Sequence, residues 1–154
     1  MDLAALQDEL LTDPEQLGYA DHVEAGRDAD LAALLNAANR SGKRPVPKAS
    51  ILRHVVEAAR WGALEDLAAN ASSPYRDAAR SAIRAFQPGD FETIDLARPA
   101  VAALLDALVA GGALAADDKT AILALADAQV SRAEQLGLGA VGHLDVARAL
   151  RTPA

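Results

Sequence analysis

Apolar side chains recur along this chain at spacings of three and four residues, in short bursts separated by proline, glycine and acidic breaks. Leu3, Leu6 and Leu10 share one face of a helix over residues 2–11, and Thr12-Asp13-Pro14 stops it because the residue before proline avoids helical backbone. A loop to Gly26 follows. Asp28 or Asp30 then caps a helix to about residue 38 with Leu31, Leu34, Leu35 and Ala38 on one face. Residues 40–47, RSGKRPVP, carry a glycine, two prolines and three bases, and read as an extended, mobile surface arm.

The rhythm resumes near Pro47, where Leu52, Val55, Val56 and Ala59 form the stripe of a helix ending around Gly62. A short helix spans 64–69. Ser73-Pro74 caps another, in which Tyr75, Ala78, Ala79, Ala82, Ile83 and Phe86 keep helical spacing over three turns. Gln87-Pro88-Gly89-Asp90 reads as a turn, and 91–95 as an extended segment able to pair with the 40–47 arm. A helix over 98–110 carries Pro99 in its first turn and ends at Gly111-Gly112. Asp117 caps a helix over 119–128. Ser131 and Glu134 match a capping box before a single turn, and 143–150 forms a last helix before the tail from Arg151 to Ala154.

Composition agrees with this pattern: 38 alanines and 22 leucines stand against five aromatic residues, the balance of a helical rather than a sheet protein. The expectation is all-α: a single helical domain over residues 1–154, an irregular array of seven to nine short helices with at most one minor two-stranded β element. Cysteine is absent, which removes disulfides, thiolate nucleophiles and Cys-containing zinc sites. No stretch reaches 18 uninterrupted apolar residues, so no membrane association is expected.

Charge is uneven within the net −7. Residues 1–39 hold nine acids and one base, residues 40–84 nine bases and four acids, and residues 85–154 five bases and nine acids. Such a basic middle between acidic ends suits head-to-tail assembly, or neutralises itself within the fold.

Candidate chemistry is sparse. Gly137-Leu138-Gly139-Ala140-Val141-Gly142 spells a dinucleotide fingerprint, but a helix precedes it and too little chain follows for a second β unit, so it reads as a helix cap and turn. His22, His54 and His143 lack a second ligand at metal-binding spacing, and Asp145 beside His143 suits the start of the final helix. None of the serines lies in a G-x-S-x-G elbow. The sequence therefore points to no enzyme, no cofactor and no metal. Trp61 is expected in the core.

The positive signal is basic. Arg76, Arg80 and Arg84 follow one another at i, i+4, i+8, with Lys43, Arg44 and Lys48 in the arm, and these six are the candidate partner-binding residues. Neutralisation by Glu57, Asp66 or Asp77 is the plainer reading of the arginine stripe. The link from Trp61 to Ser73 is too long for a tight helix-turn-helix, and nucleic acid is not the expected partner.

Two stretches carry a resemblance. Thr12-Asp13-Pro14, Gly18-Tyr19-Ala20, His22-Val23, Ala25-Gly26 and Asp30 to Asn36, together with Ser131 to Gly137, Val141 and Asp145-Val146-Ala147, resemble a group of small proteins from the late, tail-associated gene regions of tailed bacteriophages and prophages. The resemblance covers about 50 residues at the two ends. It implies a virion component in the distal tail or fibre assembly, put together in the bacterial cytoplasm and acting through contacts with phage structural proteins or itself. The family defines no functional residues. The alternative is a phage-encoded DNA-binding or host-takeover regulator using the basic middle segment.

Overall fold

The computed structural model describes residues 1–87, 89 and 92–151. In chain order the elements are α1 (Leu3–Thr12), α2 (Tyr19–Glu24), α3 (Asp28–Asn36), β1 (Arg40–Lys43), β2 (Val46–Pro47), α4 (Lys48–Glu57), α5 (Trp61–Ala69), α6 (Arg76–Phe86), β3 (Thr93–Ile94), α7 (Pro99–Ala110), α8 (Ala116–Ala124), β4 (Asp127–Val130), α9 (Arg132–Gln135) and α10 (His143–Arg151). The fold is all-α, with ten helices among the described residues and two two-stranded sheets, β1 with β4 and β2 with β3. The helix beyond the expected nine is α2, a six-residue element too short for periodicity to reveal.

The chain gathers into two compact units, residues 1–42 with 129–154, and residues 43–128. Each has its own apolar core.

In the first unit, Leu6, Leu10, Tyr19, Leu31, Leu35, Val141 and Val146 are buried together, and α10 packs on α1 and α3. Polar groups fix the geometry. Asp13 ends α1 in left-handed conformation (φ 41°), and its carboxylate accepts the backbone N–H groups of Leu17 at 2.7 Å, Gly18 at 2.8 Å and Tyr19 at 3.2 Å. Burial pushes this carboxyl up, but the three donors together outweigh it and hold it below the usual carboxylate range. Asn36 uses both ends of its amide on Val141, donating to the carbonyl at 2.7 Å and accepting the N–H at 3.0 Å. The expected capping box forms: Ser131 Oγ accepts from the Glu134 N–H, and Glu134 accepts from the Ser131 N–H.

Glu9 is buried on α1, with 4% of its surface exposed. Arg132 meets both its oxygens, Nε to Oε1 at 2.8 Å and Nη2 to Oε2 at 2.7 Å, and Nη1 reaches Glu15 at 2.6 Å. Glu15 also pairs with Arg40. The bond to Glu9 raises the Arg132 pKa above its ordinary value. Tyr19 OH donates to Glu9 Oε1 at 3.4 Å, and burial, followed by the nearby Glu9 and Asp13 charges, raises the phenol well above its ordinary pKa.

In the second unit, Ile51, Val55, Leu64, Leu67, Leu105, Leu108 and Ile122 form the centre of the core. Trp61 is half-buried against it, 6.1 Å from the Phe86 ring between centroids, with Nε1 donating to Glu65 at 2.8 Å. Ser73 Oγ accepts the Tyr75 N–H in a turn ahead of α6, but the helix begins only at Arg76 with Tyr75 as its N-cap and no capping side chain, so the expected Ser73-Pro74 cap does not form. Gly111 closes α7 where a Cβ would stand 2.6 Å from Leu67 Cδ2, so any other residue would have to displace the Leu67 side chain.

Two expectations change. The helix predicted to 128 ends at Ala124, and residues 127–130 are a strand instead, because alternation from Ala126 to Val130 puts Val130 into a buried position. The 40–47 segment is extended, as its prolines require, but it is not a free arm: Val46 is 3% exposed and pairs with Ile94, and Pro47 pairs with Thr93. Pairing of this segment with the 91–95 stretch was expected; its first residue, Phe91, lies outside the described residues, as do Pro88 and Asp90 of the expected turn and residues 152–154 of the tail.

Removing Glu9 leaves the buried Arg132 guanidinium with Glu15 as its one carboxylate partner among the described residues, so Glu9→Ala is expected to cost about 3 kcal/mol of stability in urea unfolding. The double replacement Glu9→Met with Arg132→Leu recovers most of that loss, because an apolar pair of similar bulk needs no compensating charge.

Candidate functional site

Helix α6 is amphipathic by construction. Ala79 and Ala82 are buried, and Ala78, Ile83 and Phe86 pack against the core of the second unit, which leaves the opposite side to charged residues. Arg80 and Arg84 are exposed and Arg76 is half-buried. The i, i+4 spacing sets the three one turn apart along the helix. Arg84 sits in the last turn, where its charge suits the helix dipole.

Among the described residues, none of the three arginines forms an ion pair with an acid. Arg80 Nε donates to the Ala68 carbonyl at 3.2 Å, and Arg76 Nε is buried without a hydrogen-bond partner. The expected neutralisation by Glu57, Asp66 or Asp77 does not form. A row of guanidinium groups is thus available for carboxylates or phosphates, which a planar fork of donors engages two at a time.

The lysines of the 40–48 segment have partners within the second unit. Lys43 Nζ pairs with Asp127, and Lys48 Nζ donates to the Gln87 carbonyl at 2.9 Å, just past the end of α6. The Arg44 backbone N–H donates to the Ala126 carbonyl at 2.9 Å. The structure therefore separates the six candidates: the lysines tie strands and helix ends together, and the α6 arginines face outward or lie along the helix surface.

A second polar cluster escaped the sequence reading. Asp118, with 11% of its side chain exposed, accepts the Ala115 N–H at 2.7 Å at the start of α8 and Arg60 Nε at 2.6 Å, and His54 Nε2 lies 3.9 Å away. The Ala115 N–H, followed after an opposing burial effect by Arg60, holds the Asp118 carboxyl below the usual carboxylate range. Asp117 was the expected cap of this helix, but the neighbouring acid makes the bond. Only the position of Asp118 three residues after Ala115 offered a signal for it. The cluster joins α4 and α8.

His22 Nδ1 stands 3.6 Å from Asp30, and His143 is exposed. Among the described residues no three His, Asp or Glu side chains gather as a metal site, and no helix is long and apolar enough to cross a membrane. Gly137 and Gly139 both have φ of 69°, and Gly142 N–H donates to Asp145 at 3.0 Å, so the glycine run makes turns before α10.

Asp118→Ala is expected to lower stability at pH 7 by about 2 kcal/mol, read from urea unfolding. Because the folded pKa lies below the unfolded one, the charge-dependent stabilisation is complete above the unfolded value and fades as pH falls through the folded value. The difference between wild type and variant accordingly shrinks below about pH 4.

Comparison of the chain with protein-family models, curated proteins and solved structures finds no match.

Proposed function

We propose that this protein is a non-enzymatic component of a phage particle, in the distal tail or fibre assembly, and that it works by docking the α6 arginine face onto an acidic surface of a neighbouring subunit. The observation that carries the reading is the Arg76, Arg80, Arg84 row, which no acid of the described chain neutralises although acids outnumber bases overall. The acidic excess that such docking needs is present in a second copy, whose residues 1–42 with 129–154 hold eleven acidic and five basic side chains. The phage resemblance supports the setting, and all the residues that carry it belong to that acidic unit. There they have structural work: Asp13 clasps the turn into Tyr19, Asn36 clamps Val141, and Ser131 with Glu134 caps α9.

Nucleic acid is the rival ligand for an arginine row, and the net charge of −7 opposes it at long range.

Arg80→Ser with Arg84→Ser changes only exposed side chains, so the melting temperature is expected to stay nearly constant. Self-association measured by analytical ultracentrifugation should weaken at low salt, and the difference should narrow at high salt where screening suppresses the attraction in both proteins. Mass spectrometry of purified particles should find the protein at a stoichiometry matching a ring or trimer. Its absence from particles, together with salt-dependent binding to duplex DNA lost in the double variant, would establish the regulator reading instead.

A further inference from the structure

The second unit holds an open-mouthed pocket of about 530 Å³, within the range of sites that hold small molecules. Its wall is built from aliphatic side chains of several helices, among them Val55, Leu64, Leu105 and Ile122, with Phe86 the one aromatic ring among the described lining residues. The lining residues with hydrogen-bonding side chains, Thr93, Asp95 and Arg98, all come from the stretch leading into α7. Thr93 and Arg98 are exposed and mark the mouth.

An apolar space of this size is not well served by vacancy or by water. Left empty, its walls forfeit dispersion contacts, and water inside finds too few polar partners. An aliphatic occupant restores the contacts and loses no hydrogen bonds. A flat aromatic ligand would want ring faces to stack on, and the described wall offers one. Arg98 supplies the polar end: its Nε lies 3.5 Å from Asp95 Oδ2, a loose and exposed contact that leaves the Nη edge of the guanidinium for a ligand carboxylate.

We propose that the second unit binds a medium-chain aliphatic carboxylate, with its chain in the cavity and its carboxylate on Arg98. This site is separate from the α6 arginine row, and its test is independent of the assembly reading.

Trp61, the chain's one tryptophan, lies against Phe86 of the cavity wall and serves as an internal reporter. Decanoate, kept below its micellar concentration, is titrated against the full-length protein by tryptophan emission and by calorimetry. The expected result is saturable binding of one molecule per chain. Arg98→Ser should weaken decanoate at least tenfold and leave 1-decanol unchanged, since the alcohol places no charge at the mouth. Ala85→Phe, which adds bulk to the lining, should abolish both while retaining cooperative thermal unfolding; Val101→Phe on α7 is the substitute if it does not. Absence of saturable binding to the wild-type protein would overturn the proposal, as would decanoate binding that persists in the folded blocking variant or that ignores Arg98→Ser.

Discussion

A carboxylate taken out of water needs a cation in contact with it, and Glu9 meets that requirement with a residue 123 positions away. Arg132 covers both oxygens and extends to Glu15, so α1, the loop after it and α9 are held in one register. Tyr19 adds its hydroxyl to the same carboxylate. Its backbone position is set by Asp13, whose three accepted N–H groups turn the chain from α1 into α2. Such a pair contributes less to net stability than its short distances suggest, because both groups lose hydration, but it penalises every arrangement in which the partners are apart.

The helical content was legible in the sequence because it is written locally. The α6 stripe from Ala78 to Phe86 and the Ser131 and Glu134 box each depend on residues within a turn or two of one another. What escaped depends on residues far apart. Nothing around Glu9 announces Arg132, and nothing around Asp118 announces Arg60, 58 positions earlier. Val46 looked like part of a polar arm because its neighbours are basic and proline, yet its own side chain is apolar and is buried beside Ile94. The arginines of α6 were visible as a row, but whether acids neutralise them is a question of packing, which periodicity does not address. The two compact units are not announced locally either, since the first draws on both ends of the chain.

Alanine shapes both cores. Ala79 and Ala133 are fully buried, and a methyl group at such positions lets neighbouring backbones approach closely while filling little space. Ala82 and Ala85 also line the pocket of the second unit, beside leucines and isoleucines that belong to its core.

The first unit is built from two stretches separated by 86 residues, and the second from one continuous stretch. During synthesis the second unit has its whole core available once residue 128 has emerged from the ribosome. Leu6, Leu10, Tyr19 and Leu31, made first, wait for Val141 and Val146. Contacts of such separation are slow to form, so the N-terminal helices are the part of the nascent chain that exposes apolar surface longest. The core of the first unit can therefore close only after residues 141–146 have been made, later than that of the second.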